Sequence, residues 1–266
     1  TLGIETSCDD TAASILLNNK VLSNVISSQD IHRLYGGVVP ELASREHQKL
    51  ITPIVNEAII KSGINKNQIN SVAFTRGPGL LGSLLVGTSF AKSLSIGLDV
   101  PLIEINHMQA HILSIFIESD QKPPNFPFLA LTVSGGHTQL VIVKNYFQME
   151  EIGRTLDDAA GEAFDKSGKV IGLDYPSGPI IDKLSKKGDP NAFKFTKPKV
   201  EGFNFSFSGL KTGFMNFIKK ESLANEDFIK NRLNDICASI QNTIIDILIE
   251  KIVSAVEITQ IKDIVI

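Results

Sequence analysis

Apolar and polar residues alternate at the start of the chain in a pattern typical of paired β-strands. Residues 2–17 predict two strands around a polar turn at Thr6–Asp10, and Lys20–Ser28 predicts a third. Pro40 suits the start of a helix and Gly63 its end. The other elements predicted before residue 120 are strands over 71–75 and 101–105 and helices over 41–61, 83–96 and 105–113.

The same pattern returns later in the chain. Phe128–Val143 can be placed over the opening strands without a gap at an offset of 127 residues, so that Ser7 meets Ser134 and Thr11 meets Thr138. A third strand follows at 147–153, and helices are predicted over 157–171, 179–186, 208–220 and 227–260. The sequence therefore predicts a duplicated α/β fold.

A proline-rich segment separates the two copies. Residues 121–127 contain three prolines, which neither a helix nor a central strand accommodates. We therefore predict an N-terminal lobe over 1–120, a linker over 121–127 and a C-terminal lobe over 128–266. Two facing turns would form a cleft for a nucleotide, with Mg²⁺ near Asp9 or Asp10. The alternative is that Ser134–Gly136 is only a hairpin turn.

Composition narrows the class of protein. The 266 residues carry a formal net charge of −3, so a nucleic-acid surface would have to be a local patch. Cys8 and Cys237 are too few for a disulfide framework, which fits the cytoplasm. No run approaches the about 18 apolar residues of a membrane span, so no membrane is expected. The chain begins at Thr1 and stops in a strand-like run at Asp263–Ile266, which predicts a fragment.

The run from residue 105 to 113 carries two histidines four positions apart. On a helix, His107 and His111 leave the same face, as two ligands of one metal require. Such pairs also occur as ordinary surface or core residues, so the spacing alone leaves both interpretations open. Position 108 is Met, so the Glu that activates water in His-Glu-x-x-His zinc peptidases is missing.

Other motifs compete for the same chemistry. Gly77–Gly82 matches a dinucleotide-binding fingerprint, or is a glycine-rich turn that lets a helix pack closely on its strand. Asp158, Glu162 and Asp165 would share one helix face, either as helix-start residues or with Asp165 binding a ribose or a metal-bound water. Lys183–Lys199 and the phenylalanines that follow indicate either a solvated surface or an RNA surface.

Eight blocks follow one another along the chain: Glu5–Asp10, Gly36–Arg45, Arg76–Gly79, His107–His111, Val133–Gln139, Leu156–Lys166, Gly172–Pro176 and Phe205–Lys211. Together, in this order, they resemble the TsaD family of tRNA threonylcarbamoyladenosine transferases, also called Gcp or Kae-type and formerly O-sialoglycoprotein endopeptidase. The resemblance covers essentially the whole chain.

The resemblance implies a fold and a reaction. The fold is the actin-like ATPase (ASKHA) fold, in which two ribonuclease-H-like lobes enclose a nucleotide cleft. The reaction moves a threonylcarbamoyl group from threonylcarbamoyl-AMP to the N6 amine of the adenosine 3′ of the anticodon, in tRNAs that read codons beginning with A. The alternatives are a metallopeptidase, as the former name suggests, and a nucleotide-binding partner protein without turnover.

The resemblance also implies site residues. His107 and His111 would bind iron, with zinc as the alternative, together with an Asp beyond Ile266. Mg²⁺ would accompany ATP or the adenylate, and the catalytic residue is unknown, with Asp9 and Asp10 as candidates. Nucleotide-binding residues would be Thr132, Val133, Ser134, Gly135, Gly136, Asp165, Gly178 and Asp182. Candidates for tRNA contact are Arg45, Lys194, Lys197, Lys199 and Lys211.

Partners and departures follow from the same resemblance. TsaB-type and TsaE-type proteins would assist, and a TsaC-type enzyme would supply the adenylate. The late Ser-Gly-Gly-Val block and the metal-binding Asp of the family are missing from this sequence, and Gln109 stands where many relatives have Glu. We therefore expect the chain alone to bind metal weakly and to be inactive.

Overall fold

The computed structural model describes residues 1–120 and 122–266, and these form two compact units, Thr1–Pro123 and Pro124–Ile266. Gln121, the first residue of the predicted linker, lies outside the described residues. Each unit has its own sheet and its own hydrophobic core.

The first unit is built on a five-stranded sheet in the order β3-β2-β1-β4-β5. The first three strands are antiparallel, whereas β4 and β5 continue parallel to β1. The strands are β1 (Leu2–Glu5), β2 (Asp10–Leu17), β3 (Lys20–Ser28), β4 (Val72–Gly77) and β5 (Leu102–Asn106). The α-helices are α1 (Pro40–Ser62), α2 (Leu81–Leu98) and α3 (His107–Leu113), with short 3₁₀ turns at Asp30–Tyr35, Lys66–Gln68 and Ser114–Phe116.

The second unit is built on a four-stranded sheet in the order β8-β7-β6-β9. Its strands are β6 (Phe128–Val133), β7 (Thr138–Asn145), β8 (Gln148–Arg154) and β9 (Ile264–Val265). Its helices are α4 (Ala160–Val170), α5 (Gly178–Ser185), α6 (Ser208–Ala224) and α7 (Phe228–Thr259). Buried side chains of β6, β7 and all four helices form one hydrophobic core.

The predicted duplication is confirmed by strand register. Leu2 pairs with Ile15 between β1 and β2, and Leu129 pairs with Ile142 between β6 and β7, which is the same pairing moved by the predicted offset. Each first strand then takes a parallel neighbour on its other side, β4 next to β1 and β9 next to β6. Both copies therefore share strand order and direction.

Local chemistry explains the helix boundaries that were predicted correctly. Pro40 occupies the first turn of α1, where a missing N–H costs no hydrogen bond. Gly63 ends α1 in the left-handed conformation, with φ at 73°.

Helix α2 corrects the expectation that no segment is long and apolar enough to span a membrane. Its 18 residues have a mean hydropathy of 1.3, which meets that description by length and composition alone. The buried positions are small and four apart: Ser83, Gly87, Ala91 and Ser95. A Cβ added at Gly87 would lie 2.2 Å from Oγ1 of Thr6, so α2 packs closely against the turn that follows β1.

Candidate functional site

The predicted histidine helix is present as α3, which begins directly after β5. The Asn106 side chain accepts hydrogen bonds from the amides of Met108 and Gln109 and so caps the helix. Met108 and Ile112, four residues apart, are buried and fix α3 to the unit. Because each histidine immediately precedes one of these anchors, both imidazoles lie on the adjoining side of the helix.

The two histidine side chains converge. Nε2 of His107 lies 3.0 Å from Nε2 of His111, and the ring planes are at 83° to each other. Two Nε2 atoms bound to one tetrahedral ion at ~2.0–2.1 Å would be roughly 3.3–3.4 Å apart. The pair therefore already has nearly the spacing of two ligands of one metal.

Glu5, at the end of β1, contacts Nδ1 of His107, the ring nitrogen that does not face His111. One carboxylate oxygen, Oε2, lies 3.4 Å from Nδ1 of His107 and also accepts a hydrogen bond from the hydroxyl of Thr75. The other, Oε1, accepts from the amide of Ser7 at 2.5 Å. Burial opposes ionisation of Glu5, but hydrogen bonds with His107, Ser7 and Thr75 outweigh it and lower its pKa to about 2.

An open groove of about 510 Å³ runs from the histidines along one face of the first sheet. Glu5, Thr75, His107 and His111 line it at one end, together with Ala110 and Ser114 of the helix segment. The groove gives a small polar ligand a path to both imidazoles.

The donor set of this cluster fits part of a metal site. Within residues 1–120 and 122–266, no group of three His, Cys, Asp or Glu side chains is placed to hold an ion. His107 and His111 thus supply two imidazole ligands, which suit iron or zinc, and Glu5 lies behind one of them.

The turn that carries Asp9 and Asp10 is held by a buried histidine that sequence reasoning did not single out. His47 of α1 is fully buried, and its Nδ1 lies 2.8 Å from Oγ1 of Thr11. Its Nε2 lies 3.0 Å from the carbonyl oxygen of Cys8. A carbonyl can only accept, so Nε2 carries the proton and Nδ1 accepts from the threonine hydroxyl. This neutral imidazole links α1 to the turn.

Stability should depend on pH through His47. Burial lowers its pKa, so the folded protein keeps His47 neutral while the unfolded chain takes up a proton near pH 6.5. Its stabilising contribution is complete above that pH and is lost as pH falls below it, with a slope of at most about 1.4 kcal/mol per pH unit. Urea unfolding at pH 7.5 and 5.5 measures this. His47→Gln should be less stable at pH 7.5 and show a smaller pH difference, whereas an unchanged difference would contradict the assignment.

The glycine-rich turn at 77–82 has the structural role rather than the dinucleotide-binding one. A Cβ at Gly79 would lie 2.5 Å from the carbonyl oxygen of Ser7, and the amide of Leu80 donates to that oxygen at 2.7 Å. The turn therefore packs directly against the polar turn after β1, with no room between them for a pyrophosphate.

In the second unit, residues Ser134–Gly136 form the turn between β6 and β7. The amide of Gly161, at the start of α4, donates to the carbonyl oxygen of Ser134 at 3.2 Å. Oγ1 of Thr138 accepts from the amide of Ala160 at 2.9 Å, so this threonine joins strand to helix as its counterpart Thr11 does in the first unit. The helix start and the turn are thereby held together.

The other predicted nucleotide-binding residues lie on adjoining elements. Asp165 is one turn further along α4, and its Oδ1 accepts from the amide of Ser177 at 2.7 Å, next to Gly178 at the start of α5. Burial raises the pKa of Asp165. Asp182, one turn along α5, is exposed and pairs with Lys186 at 2.7 Å. Thr132 and Val133 end β6. Nucleotide binding by this set remains a prediction.

The predicted acidic face of α4 is wrong at its first member. The helix begins at Ala160, so Asp158 precedes it and instead pairs with Lys166 at 2.5 Å. Asp157 belongs to the start of α6, where it accepts from the amides of Phe207 and Ser208. The hydrogen bonds of Asp157 to another helix, which local periodicity does not reveal, keep it out of α4, which starts three residues later than predicted.

The phenylalanines interleaved with the lysines do not form a stacking surface. Phe205 and Phe207 are completely buried, and Phe193, Phe195 and Phe203 pack against the same core. The RNA interpretation was therefore wrong for the rings, because hydrophobic burial requires them.

The lysines themselves remain candidates for tRNA contact. Lys194, Lys197 and Lys199 lie between α5 and α6, and Lys211 lies on α6. Lys197 pairs with Asp246 at 3.0 Å and with Glu250 at 2.5 Å. Arg45, in the other unit, pairs with Glu41 on the exposed surface of α1.

Sequence reasoning missed Glu5 as well as His47. An acid at the end of a strand with buried apolar neighbours was a usable signal, since such positions need a partner. Its partner lies a hundred residues away, which no local pattern predicts.

Known proteins resemble this chain closely. The family model for TsaD, tRNA N6-adenosine threonylcarbamoyltransferase, matches residues 20–266. The tRNA N6-adenosine threonylcarbamoyltransferase of Christiangramia forsetii is 61% identical over 266 residues, which are 100% of this chain and 78% of that protein. The enzyme of the same name from Riemerella anatipestifer is 60% identical with the same coverage.

A solved structure supports the fold. Component A of (R)-2-hydroxyglutaryl-CoA dehydratase from Acidaminococcus fermentans superposes with a TM-score of 0.52, at 14% sequence identity, over 99% of this chain and 80% of that one. At that identity the likeness concerns the fold alone, and it agrees with the predicted actin-like ATPase fold.

Proposed function

We propose a donor, an acceptor and a site for the reaction of this chain, which belongs to the tRNA N6-adenosine threonylcarbamoyltransferase family. The family reaction is the transfer of a threonylcarbamoyl group to the N6 amine of a tRNA adenosine. The donor is threonylcarbamoyl-AMP, and the acceptor is the adenosine 3′ of the anticodon in tRNAs that read codons beginning with A. The single observation that carries the site is the convergence of His107 and His111 beside the groove.

The proposed step is an acyl substitution. The N6 amine attacks the carbamoyl carbon, a C–N bond forms, the C–O bond to phosphate breaks, and AMP leaves with the electron pair. The amine proton passes to solvent or to a base. An adenine amine is a weak nucleophile, so the enzyme must supply orientation and the donor a good leaving group. Asp9 and Asp10 are the candidates for the base, since Asp9 lies on the polar turn after β1 and Asp10 begins β2.

His107 and His111 are the proposed metal ligands. A divalent ion bound there, iron or alternatively zinc, would supply Lewis-acid polarisation of the carbamoyl carbonyl. The converging Nε2 atoms support this assignment, and buried Met108 leaves no Glu on α3 to act as a peptidase base. That observation, with the relatives' name, disfavours the metallopeptidase alternative.

The nucleotide part of the donor is assigned to the second unit. Thr132–Gly136, Asp165, Gly178 and Asp182 are the proposed contacts, with Mg²⁺ accompanying the phosphate. Three features support this: the turn is glycine-rich, α4 is packed against it, and the amide of Ser177 at the start of α5 fixes Asp165 by donating to its carboxylate. A nucleotide-binding partner protein without turnover could share these contacts but would not need the histidine pair.

The remaining contacts concern the tRNA and partner proteins. Arg45, Lys194, Lys197, Lys199 and Lys211 are the proposed phosphate contacts, since cations supply most of the affinity for a nucleic-acid backbone. TsaB-type and TsaE-type proteins are the proposed partners, a TsaC-type enzyme the source of the adenylate, and the cytoplasm the location. With two imidazoles as its ligands, the 266-residue chain alone should bind metal weakly and be inactive.

The gene product carrying this sequence, expressed at its natural length, tests the proposal. Incubation with ATP, threonine, bicarbonate, the partner proteins and unmodified tRNA should yield threonylcarbamoyladenosine when the tRNA is digested to nucleosides and analysed by mass spectrometry. Unmodified adenosine in the complete mixture would contradict the proposal, and peptide cleavage in its place would favour the peptidase.

A further inference from the structure

We propose that Glu5 is a positioning residue that fixes the tautomer of His107, holding the proton on Nδ1 so that Nε2 presents its lone pair to the groove. Glu5 is not itself a ligand in this proposal. The inference deepens the proposed metal site and, in its consequence for metal binding, rests on it.

The two groups next to Nδ1 of His107, the Ser7 hydroxyl and the Glu5 carboxylate, differ in whether they can select a tautomer. The Ser7 hydroxyl lies 3.4 Å from Nδ1 at the long limit of a hydrogen bond, and Oε2 of Glu5 lies at the same distance as an electrostatic contact. A hydroxyl can donate or accept, so Ser7 is compatible with either tautomer. A carboxylate only accepts, so Glu5 is compatible only with a proton on Nδ1. The negative charge of Glu5 therefore favours the tautomer with the proton on Nδ1, where that N–H can also donate to the Ser7 hydroxyl.

The carboxylate is held in place on both oxygens. The backbone amide of Ser7 donates to Oε1, and the hydroxyl of Thr75 donates to Oε2. These donors come from the turn after β1 and from β4, both of which are fixed by the sheet. An acid anchored in this way can orient an imidazole, as carboxylates commonly do behind metal-binding histidines.

The assignment extends to the second histidine. If Nδ1 of His107 carries the proton, its Nε2 can only accept, so the 3.0 Å contact between the Nε2 atoms requires His111 to donate. In the metal-free protein, His107 is therefore the Nδ1–H tautomer and His111 the Nε2–H tautomer. Metal binding would need His111 to release or move that proton, whereas Nε2 of His107 already presents a lone pair.

Replacement of Glu5 by Gln should reverse the tautomer of His107. The Ser7 amide can only donate, so it selects the amide oxygen of Gln on its side and leaves the NH₂ group facing Thr75 and His107. That NH₂ would donate to Nδ1 and move the proton of His107 to Nε2, so that His107 would also have to release or move a proton before it binds metal. Glu104→Gln, on β5 of the same sheet and paired with Arg76, is the matched control.

The experiment combines a tautomer measurement with a metal titration. Ring-nitrogen ¹⁵N NMR of the natural-length protein should show Nδ1–H at His107, and His107→Gln assigns the signal. Co²⁺ titration of the same protein should show an affinity ~10–100-fold lower in Glu5→Gln than in the wild type and unchanged in Glu104→Gln.

Each outcome is decisive. An Nε2–H tautomer at His107 in the wild type overturns the inference, as does unchanged Co²⁺ affinity in a Glu5→Gln variant that folds. If the variant fails to fold, the wild-type tautomer still decides. A wild type with Nδ1–H at His107 that binds no Co²⁺ would support the positioning role while contradicting the proposed metal site, so the two failures are distinguishable.

Discussion

Replacing His107 and His111 together by alanine is expected to abolish metal binding by the natural-length protein. The two Nε2 atoms converge at 3.0 Å, so both imidazoles are the proposed protein ligands and neither substitute can bind an ion. Because loss of residues that merely orient ligands costs about 10–100-fold, loss of both ligands should cost at least about a hundredfold in affinity and in transfer rate. Metal analysis after dialysis and Co²⁺ titration measure the first effect.

Gln109→Ala provides the control for this variant, because the exposed Gln109 lies between the histidines on the same helix. It should leave metal content unchanged. Equal metal content in the double alanine variant and the wild type would show that the ion binds elsewhere.

The variant Gly161→Ala should weaken nucleotide binding strongly. Its Cβ would lie 2.7 Å from the carbonyl oxygen of Ser134 and 2.8 Å from Cα of Gly135, both backbone atoms. The helix start and the turn would have to separate, at a cost of about 1–3 kcal/mol. If this cost applies to the nucleotide-bound protein and not to the free protein, affinity for an adenine nucleotide should fall roughly 10–100-fold.

Gly213→Ala is the matched control. Gly213 is exposed on α6, and a Cβ there would meet no atom within 4 Å. Isothermal titration with AMP and thermal unfolding should show unchanged affinity and equal or higher stability. Normal AMP affinity in folded Gly161→Ala would contradict the role assigned to the turn.

The duplication was predictable because the same local alternation of apolar and polar residues occurs in both copies. Leu2 and Leu129 begin equivalent strands, and strand pairing kept the register that the offset implied. Pro40 and Gly63 marked helix ends through backbone chemistry that depends on neighbours alone. The strand register and these helix ends agree with the prediction because tertiary contacts favour the same local structure.

The errors arose at residues whose structural role depends on partners far away in the sequence. Asp157 looked like a residue of α4, yet its carboxylate caps α6, about fifty residues later in the chain. Phe205 and Phe207 looked available for stacking beside the lysines, yet they are buried in the core of the second unit. Neither outcome is visible in a local window of sequence.

The candidate site divides in the same way. The spacing of His107 and His111 predicted a shared face, and the structure places their Nε2 atoms together. Glu5 and His47 act through partners on other elements, so their roles required the fold. The sequence thus predicted the groups that would touch a metal but not those that orient them.

One measurement tests the central claim most directly. Threonylcarbamoyl-AMP labelled in its carbamoyl carbon is mixed with unmodified tRNA and the natural-length protein, in excess, with its partners. We expect the label in threonylcarbamoyladenosine, one AMP released for each modified nucleoside, and no labelled nucleoside with the double alanine variant of His107 and His111. Release of AMP without label in the tRNA, or equal labelling by that variant, would contradict the account.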